Sequence, residues 1–531
     1  MQGERRGALL VIGVLAVSAV LGGIYGPPVR ATSSNVNNLQ DSVKSFTRVL
    51  SVVEKNYATP VDTDHAIYFG AIPGMLRVLD PHSSFFDPRA YANLREDQRG
   101  RYYGVGMTIV PRDNYTYVLA PMPGSPASRA GIRPGDVIMA VDSKPTEGLS
   151  SSEVADMLKG PKSTIVHITM KRVGYDQQLN FTVTRDEIPK HSVDSAFMLK
   201  PGVGYIKLSG FNETTESELS AALKQLNAST LDGLVLDLRG NPGGLLNEAV
   251  DVSDKLLQKG QIVVSQRGRA FPDQVYRASH GEEGAKFPIV VVVNRNTASA
   301  AEIVSGALQD HDRALIAGET TFGKGLVQTV FQISENTGLA LTTYHYYTPS
   351  GRLIQRPYDK LSLYDYFFVR DNKKADKSNQ EVKLTDSGRT VYGGGGITPD
   401  EKIEVPDLNR FQQSLYGHYI FVNSGVGNFT KHYIASHPIS KDFVVDDNVM
   451  QQFKAFLKAN QVDYTDQDIA GVADWIKGNI KAELFTAQFG QLEGLKVRVE
   501  SDPEINKAVT FLPEALALEN RGTKQQSASL R

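Results

Sequence analysis

PIVVVVNRNTASAAEIVSGALQD, residues 288 to 310, contains the pattern that decides the fold. An uninterrupted apolar run, typical of a strand buried on both faces, passes through a short polar turn into a helical pattern. LDGLVLDLRGNPGGLLNEAVDVSDKLL, residues 231 to 257, repeats the order of buried strand, tight turn and helix. Strands that alternate with helices in this way indicate a mainly parallel sheet of the α/β class. We therefore expect an α/β core over residues 200 to 405.

Ser299 lies where the strand of the first stretch passes into its helix, and two interpretations of it compete. Ser-Ala-Ala-Glu is the S-x-x-E pattern of a capping box, in which the serine stabilises a helix start by about 1 kcal/mol. The same position also exposes a hydroxyl at a helix start, where it can act as a nucleophile. In the other turn Gly243 and Gly244 follow Pro242, and they let the main chain approach a substrate closely. Together the turns can form an oxyanion hole beside a nucleophile, although two ordinary strand–helix turns would have the same pattern.

A serine nucleophile needs a base, and Lys324 is the candidate. It stands between two glycines in GETTFGKGLVQ, and a strand pattern follows it. Alternation along a strand would place Gln328 on the same face as Lys324, where its amide could hold the amine. An amine that acts as a base near pH 7 needs a pKa lowered by roughly three units, which costs about 4 kcal/mol through burial. Phe322 and Leu326 could provide that burial, and the alternative is a surface lysine in a turn.

A nucleotide site is a different interpretation of the same segment. Gly318 to Lys324 reads G-x-x-x-x-G-K, which is nearly a phosphate-binding loop. Gly325 stands where Ser or Thr should hold Mg²⁺, and the following residues predict a strand instead of a helix start that could bind phosphates. The absence of cysteine excludes disulfides, thiol catalysis and thiolate-bound metals. We therefore expect no nucleotide, no cofactor and no metal ion.

Residues 101 to 185 form a unit with strand-like runs and one short helix, which suggests a small β-barrel or sandwich. Within it, ASRAGIRPGDVIMAVD resembles a PDZ domain. The run Gly104, Val105, Gly106 and Met107 resembles the carboxylate-binding loop of that family. Such a loop captures a C-terminal carboxylate with backbone N–H groups while the peptide adds as a strand to the sheet edge. The alternative is a barrel that only spaces other domains.

The α/β part as a whole resembles the carboxyl-terminal processing proteases, the tail-specific proteases of peptidase family S41. The resemblance runs from about residue 40 to 405, and LDPHSSFF at 79 to 86 is similar to the N-terminal signature of that family. It implies a Ser–Lys dyad with Ser299 as nucleophile and Lys324 as general base, positioned by Gln328. It also implies an oxyanion hole formed by the N–H groups of Gly243 and Ala300. The motifs that carry it, in the order of the family, are DLRGNPGG (237–244), NTASAAEI (296–303), ETTFGKGLVQ (319–328) and GGGITPD (394–400).

The resemblance further implies a multidomain α/β fold. A ClpP/crotonase-like S41 protease core would carry an inserted all-β PDZ domain as a lid. Apart from the resemblance, amphipathic patterns such as VKSFTRVLSVVEKNY and VMQQFKAFLKAN predict helical N-terminal and C-terminal regions. Residues 520 to 531 lack apolar periodicity and are expected to be disordered. The expected divisions are an N-terminal membrane anchor or signal segment at 1–31, a helical N-terminal region at 32–97, the PDZ domain at 98–186, the S41 protease core at 187–408, and a helical C-terminal region with a disordered tail at 409–531.

Residues 8 to 25 form an uncharged apolar run that follows Arg5 and Arg6. The run reaches the lower limit of membrane-spanning length, and basic residues before it place the N-terminus inside and the rest of the chain outside. A signal peptide cut near Ala31 is the alternative. We favour a single-pass anchor, because the run is long for a signal peptide and Pro27 and Pro28 make a poor approach to a cleavage site. Both interpretations put the catalytic part on the periplasmic or extracytoplasmic side.

The overall charge is nearly balanced, with 57 basic and 59 acidic residues among 531, and it gives no footprint for nucleic acid. The expected partners are protein substrates with exposed C-terminal tails. An activating partner protein and a homodimer are left open. The leading hypothesis is an exported serine endopeptidase that cuts proteins near their C-termini, with a PDZ domain that recognises tails and gates the site. The alternative is a catalytically silent PDZ-containing binding or scaffold protein, and the joint presence of Ser299, Lys324 and Gln328 argues against it.

Overall fold

A computed structural model describes residues 39–529 except 113, 173, 282–286, 360, 370–380, 405–406 and 423–426. The chain divides into two units, one that ends at Gly74 and one that begins at Met75. The apolar run at 8–25, and with it the prediction of an anchor, lies outside the described residues. Over the described ranges, no helix combines the length and the apolar character needed to cross a membrane.

The N-terminal unit is helical, as the amphipathic pattern of its sequence predicts. Its helices are α1 (Leu39–Asn56), α2 (Thr63–His65) and α3 (Ile72–Arg77, which continues into the second unit), with a π-helical turn at Ala66–Ala71. In α1, Asp41 stands in the first turn and Lys55 in the last. Each side chain has the opposite charge to the partial charge at the nearer end of the helix, which stabilises the helix. Asp62 caps α2 by accepting a hydrogen bond from the N–H of His65 at 3.0 Å.

The turn cluster LDPHSSFFDP, residues 79–88, lies near the start of the second unit. Asp80 organises it, because its carboxylate accepts hydrogen bonds from the N–H groups of His82 and Ser83, each at 2.7 Å. The short strand β1 (Ser84–Phe86) and the helix α4 (Pro88–Arg99) follow. Asp87 caps α4 and Pro88 occupies its first turn, while Gly100 ends it in the left-handed conformation that glycine allows.

An antiparallel β unit occupies the range where the PDZ resemblance lies. Its elements are β2 (Arg101–Gly104), β3 (Met107–Arg112), β4 (Tyr115–Pro121), α5 (Pro126–Arg129), β5 (Val137–Val141), β6 (Lys144–Pro145), α6 (Ser151–Leu158), β7 (Ile165–Lys171), β8 (Leu179–Thr184) and β9 (Asp186–Pro189). The sheet order is β3-β4-β5-β7-β8, with β6 beside β5, so β3 is an edge strand. Strands β2 and β9 pair with each other where the chain enters and leaves the unit.

The remaining strands belong to two further sheets and a hairpin. They are β10 (Val193–Lys200), β11 (Val203–Leu208), β12 (Gly233–Asp237), β13 (Ile262–Arg267), β14 (Gln274–Arg277), β15 (Ile289–Val293), β16 (Ala314–Gly318), β17 (Leu326–Gln332), β18 (Gly338–Tyr347), β19 (Val382–Leu384), β20 (Thr390–Tyr392) and β21 (Glu401–Lys402). The central sheet has the order β10-β11-β12-β15-β16-β21, and all its pairs except β10–β11 are parallel. The α/β prediction is therefore confirmed.

The central sheet is covered on both faces, which explains why β12 and β15 are buried at every residue. The helices of the first layer are α7 (Thr215–Gln225), α8 (Leu246–Asp254) and α9 (Ala300–Asp310), with a 3₁₀ turn at Ala228–Thr230. Their buried side chains form one apolar core with alternate residues of the strands, such as Leu234 and Val291. The other alternate residues, such as Val235 and Val290, belong to a second core that includes the C-terminal helices.

An antiparallel sheet stands beside this layer and carries the lysine segment. It has the order β1-β18-β13-β14, with β17 also paired to β18. Strand β18 is therefore shared between the LDPHSSFF segment and the strand that follows Lys324. The hairpin β19–β20 and the short helix α10 (Leu363–Phe368) come after β18 in the chain.

The C-terminal region is helical, as the sequence predicts. Its helices are α11 (Arg410–Gly417), α12 (Asn428–Ile434), α13 (Asp447–Ala459), α14 (Asp466–Gly471), α15 (Ala473–Phe489), α16 (Gln491–Glu500), α17 (Pro503–Thr510) and α18 (Leu512–Ser529). Helices α11 to α15 enclose an aromatic-rich core of their own, whereas α17 and α18 pack on the central sheet. The sequence predicts a disordered tail, whereas α18 continues to Ser529.

Candidate active site

The two turns singled out in the sequence meet at the carboxyl ends of neighbouring parallel strands. Strands β12 and β15 pair in parallel, so the turns that follow them leave the same edge of the sheet. The N–H of Ala298 donates to the main-chain oxygen of Asn241 at 2.9 Å, which joins the two turns directly. Asn241 is fully buried, and its side-chain amide donates to the carbonyl of Leu208 at 2.9 Å. The glycine turn and the serine turn therefore form one rigid element.

Ser299 has an unusual backbone conformation at the start of α9. Its φ of 53° and ψ of −116° lie outside the regions that residues with a side chain ordinarily adopt. Such strain costs about 1–3 kcal/mol, and it is concentrated at functional sites, where the surrounding structure enforces it. The N–H of Ser299 donates to the Glu302 carboxylate at 2.8 Å, which is the glutamate half of the predicted capping box. The predicted helix start is present, and it presents a strained serine.

Gly243 packs so closely against Ser299 that only glycine fits. A Cβ atom on Gly243 would lie 2.7 Å from the Cβ of Ser299 and 2.8 Å from the main-chain nitrogen of Ala300. The φ of Gly243 is 97°, which also favours glycine. Substitution at this position would therefore displace Ser299.

The two N–H groups expected in an oxyanion hole differ in their present partners. The Gly243 N–H donates to the Oδ1 of Asn241 at 2.8 Å, so it is already used inside the turn. The N–H of Ala300 stands at the first turn of α9 and has no acceptor among the described residues. As an unpaired N–H at a helix start, it is suited to an anionic oxygen. Only the Ala300 donor is available without a rearrangement.

Glu302 joins the serine turn to the lysine segment. Its side chain is fully buried, and its two oxygens accept four hydrogen bonds. Two of these come from the N–H groups of Ser299 and Lys324, at 2.8 and 2.9 Å on the same oxygen. The other two come from the Thr321 hydroxyl and the Gly323 N–H, at 2.5 and 2.7 Å. Burial raises the pKa of Glu302, and these hydrogen bonds oppose the rise.

Lys324 lies in the wall of the same cavity as Ser299. Burial lowers the pKa of its amine, and the charges of Glu302 and Asp80 partly oppose the shift. Among the described residues the amine forms no ion pair, and no hydrogen bond joins it to the Ser299 hydroxyl. Lys324 precedes β17 instead of lying on it, so the alternation argument that linked it to Gln328 does not apply.

Gln328 also lines the cavity, but its contact is with the neighbouring strand. Its Nε2 donates to the Thr342 hydroxyl at 3.1 Å. The Thr342 N–H in turn donates to the Ser83 hydroxyl at 3.0 Å, and Ser83 donates to Asp80 at 2.7 Å. The LDPHSSFF segment is thus connected through β18 to the residue predicted to position the base.

His82 completes the wall beside Lys324. Its Nε2 is 2.9 Å from the Tyr366 hydroxyl, and that hydroxyl accepts a hydrogen bond from Gln355 at 3.2 Å. Gln355 in turn accepts the N–H of Gly325, the residue after Lys324, at 2.8 Å. Burial and the charge of Lys324 lower the pKa of His82 to about 4, so the imidazole is neutral at pH 7.

The cavity around these groups has a volume of about 630 Å³. Apolar side chains line the part near Ser299, including Ile303, Leu326 and Tyr346. Another part is lined by Lys190 and other residues that follow β9, where the chain returns from the PDZ-like unit. Such a cavity can hold a peptide segment with an apolar side chain next to the serine hydroxyl.

The PDZ-like unit presents the predicted carboxylate loop at the start of its edge strand. Gly104, Val105, Gly106 and Met107 are all buried, and the φ of Gly106 is 75°. The carbonyl groups of Val105 and Gly106 are used inside the unit. In the described part of the chain their N–H groups have no acceptor. Free N–H groups beside an unpaired strand edge are what strand addition by a peptide requires.

Sequence reasoning missed three functional features of this site. Glu302 was interpreted as a capping residue only, although it also fixes the lysine segment. Asn241, which connects the two turns, stood unremarked inside GNPGG. His82 is bonded to Tyr366 and lies in the cavity wall with the lysine, a position that its residue type alone does not indicate. The one signal for His82 in the sequence is its place in LDPHSSFF, the segment that is similar to the N-terminal signature of the family.

Comparison with known proteins identifies the class. The model of peptidase family S41 matches residues 202–358, and a PDZ domain model matches residues 117–172. A model described as a probable PDZ-protease, C-terminal helical domain, matches residues 416–468. The chain is thus a serine peptidase that combines an S41 core with a PDZ domain.

The relatives place the chain within that class. It is 41% identical over 335 residues to a carboxy-terminal-processing protease from Bartonella bacilliformis, covering 62% of this chain and 76% of the relative. It is 40% identical over 294 residues to a carboxyl-terminal-processing protease from Synechocystis sp., covering 54% and 68%. A solved photosystem II D1 C-terminal processing protease is 33% identical with a TM-score of 0.34, covering 58% and 89%. The chain belongs to the carboxy-terminal processing proteases of peptidase family S41.

Proposed function

We propose that this protease cuts proteins near their C-termini with Ser299 as nucleophile and Lys324 as general base. The observation that carries the proposal is the Glu302 carboxylate, which binds the N–H groups of both residues at one oxygen. That contact holds the main chains of nucleophile and base together in one cavity. The lysine amine has no ion pair among the described residues, so burial can favour its neutral form.

In the proposed reaction, the neutral Lys324 amine accepts the proton of the Ser299 hydroxyl as the oxygen attacks the scissile carbonyl carbon. The carbonyl oxygen gains negative charge and is stabilised by the N–H of Ala300 at the start of α9. The Gly243 N–H joins as second donor when it exchanges Asn241 for the substrate oxygen. The protonated lysine then gives its proton to the leaving amine, which leaves an acyl-enzyme for water to hydrolyse.

Gln328 acts as a positioning residue in this proposal. Its contact with Thr342 keeps its side chain on the cavity wall, from which its amide oxygen can orient the Lys324 amine. The apolar lining near Ser299 favours a substrate with an apolar side chain before the scissile bond.

The test of the dyad compares the full chain with its Ser299→Ala form on a denatured protein substrate. Wild-type turnover that disappears in the variant supports the proposal, provided that circular dichroism shows both to be folded. Equal rates in the two proteins would contradict it. Absence of turnover in both, even with added cell extract as a source of activator, would favour the binding-protein alternative.

The PDZ domain is the proposed reader of substrate tails and the proposed gate of the site. The free N–H groups of Val105 and Gly106 lie beside the edge strand β3, which suits a C-terminal carboxylate. The segment that returns from this domain lines the active-site cavity, so a movement of the domain would reach the cavity. A tail can shift this equilibrium only as far as it binds the open arrangement more tightly. A peptide with a free C-terminus should be cut faster than its amidated form, and equal rates would contradict tail recognition.

Export is proposed from the sequence of residues 1–31 alone. The run at 8–25 with preceding arginines supports a single-pass anchor with the protease on the periplasmic or extracytoplasmic side. Fractionation of expressing cells should recover the protein with the membranes. N-terminal sequencing that begins near Thr32 would instead identify a cleaved signal peptide.

A further inference from the structure

A buried charge cluster immediately precedes the glycine turn in the chain. Asp237, the last residue of β12, is 1% exposed. Its carboxylate accepts hydrogen bonds from Arg239 at 2.8 Å, from the Tyr205 hydroxyl at 2.9 Å and from Lys207 at 3.2 Å. Of these described residues, none lines the cavity that contains Ser299. The cluster is therefore outside the site, although it holds the start of the turn that enters it.

The C-terminal helical region completes this cluster. Arg239 donates from Nη2 to the Asp502 carboxylate at 2.9 Å, and its Nη1 lies 2.9 Å from the Glu504 carboxylate. Asp502 is the N-cap of α17, where it also accepts the N–H of Glu504 at 2.8 Å. Both carboxylates thus belong to a well-defined helix start, and the guanidinium fork is held from two sides.

The position of Arg239 is transmitted to the nucleophile through a short path. The main-chain oxygen of Asn241, two residues after Arg239, accepts the N–H of Ala298. The side chain of Asn241 accepts the N–H of Gly243, and Gly243 lies so near Ser299 that a Cβ atom on it would be 2.7 Å from the Ser299 Cβ. A displacement of Arg239 therefore changes the geometry of the N–H groups beside the serine.

We propose that Asp502 and Glu504 are positioning residues for the oxyanion hole, so that the C-terminal helical region is required for efficient catalysis. The proposal rests on the proposed function, because it assumes that Ser299 forms an acyl-enzyme. Oxyanion donors act only within a narrow range of distances from the developing charge. The contacts of Asp502 and Glu504 with Arg239 are called the clamp below. Loss of this clamp should lower the rate of the chemical step while substrate binding remains intact.

The experiment uses the full chain with Asp502→Asn and Glu504→Gln, singly and together. The matched control is Glu500→Gln, which removes the same charge from the exposed end of α16, two residues before the cluster. The double variant should lose at least about tenfold in kcat with KM within about twofold, since a misplacement of about 1 Å in an oriented site costs about 10²-fold. Each single variant should show a smaller loss of the same kind, and Glu500→Gln should equal the wild type.

A second measurement separates positioning from general stability. A peptide aldehyde adds the Ser299 oxygen to its carbonyl carbon, the serine proton passes to Lys324, and the new alkoxide occupies the oxyanion hole. Its affinity should fall in the double variant by the same factor as kcat. The affinity of the corresponding amide peptide, measured in a Ser299→Ala background, should not change. A fluorophosphonate titration of the proteins that retain Ser299 normalises kcat and the aldehyde measurement to folded, reactive enzyme, and circular dichroism checks folding in the Ser299→Ala background.

Three outcomes would count against the proposal. Normal kcat and aldehyde affinity in the double variant would overturn the clamp while the proposed function stands. A loss that disappears after normalisation to reactive enzyme would reduce Asp502 and Glu504 to a structural role. Absence of Ser299-dependent turnover in the wild type would overturn the proposed function, and the clamp with it.

Discussion

Asp237 and Glu302 are two buried carboxylates next to the two turns of the site. They differ in the kind of group that donates hydrogen bonds to them. Asp237 is held by two cations, Arg239 and Lys207, and Arg239 has further anions behind it. Glu302 is held by three backbone N–H groups and one hydroxyl. Burial raises the pKa of Asp237, but its cations outweigh burial and leave it lowered, whereas the pKa of Glu302 is raised.

The difference shows how a buried lysine can remain available. Where cations neutralise a carboxylate, each charge is fixed in an ion pair and the turn is rigid. Where N–H groups occupy the carboxylate oxygens, the nearby Lys324 amine is left without a direct ion pair among the described residues. A lysine paired with Glu302 would hold its proton more tightly, and it would be a poor base. The first arrangement favours stability, and the second favours proton transfer.

Removal of the amine should have the largest effect. Lys324→Ala should lower kcat/KM by about 10²–10⁴-fold, the typical contribution of a general base, which corresponds to about 3–5 kcal/mol in the barrier. Lys324→Arg should be equally impaired, because arginine cannot release its proton. The rates are measured on a peptide substrate, with circular dichroism as the control for folding. Near-normal turnover in either variant would remove lysine as the base.

The next effect should appear in stability. Asp237→Asn leaves the buried Arg239 and Lys207 with one anion fewer, and the loss of one partner of a buried ion pair costs about 3–5 kcal/mol of unfolding free energy. Chemical denaturation measures this value. Asp365→Asn, at the partly exposed start of α10, serves as a control that should stay within about 1 kcal/mol. A loss of unfolding free energy no greater than that of the control would show that Arg239 and Lys207 do not need Asp237 as a counter-ion.

Glu302→Gln should have a smaller effect on stability, about 1–3 kcal/mol, because an amide nitrogen then faces N–H donors and leaves buried groups unsatisfied. Its signature should be in the pH profile. The Glu302 charge raises the pKa of Lys324, so its removal lowers that pKa further. The acidic limb of the profile of kcat/KM against pH should move to lower pH. A limb that stays in place would mean that it does not report Lys324.

The smallest effect on the free energy of unfolding at neutral pH should come from His82, whose contribution appears only in acid. Its pKa is about 4 in the folded protein against an unfolded value near 6.5, so below pH 6.5 the unfolded chain binds a proton that the folded chain does not. Stability should therefore fall between pH 6.5 and 4, by at most about 1.4 kcal/mol per pH unit. His82→Gln should flatten this part of the curve of unfolding free energy against pH. An unchanged slope would assign the acid sensitivity to other groups.

Much of this site could be predicted from the sequence, because its motifs are local. The strand–turn–helix patterns predict where Ser299 and Gly243 lie, and parallel pairing of the two strands brings their turns together. The relation of Lys324 to Gln328 could not be predicted in this way. The strand begins only at Leu326, and its register shifts between Val327 and Gln328.

Contacts between distant segments were also beyond the sequence. Three of the four hydrogen bonds of Glu302 depend on how the segment at 321–324 folds back on the start of α9. The pairs of Arg239 with Asp502 and Glu504 join positions more than 260 residues apart, and a charge pattern cannot select such partners. Missing apolar periodicity predicts a disordered tail, but the helix α18 continues to Ser529, so this signal alone does not fix where a helix ends.

The packing of α17 and α18 on the central sheet has a consequence for the order of events during synthesis. Strands β12 and β15 leave the ribosome well before the residues that cover their second face, such as Phe511 and Leu512. Until about residue 518 has emerged, Val235 and Val290 remain in contact with water or with a chaperone. The second face of the central sheet is therefore completed only by residues that are synthesised more than 200 positions after β15. The core folds to completion only once the C-terminal helices have been made.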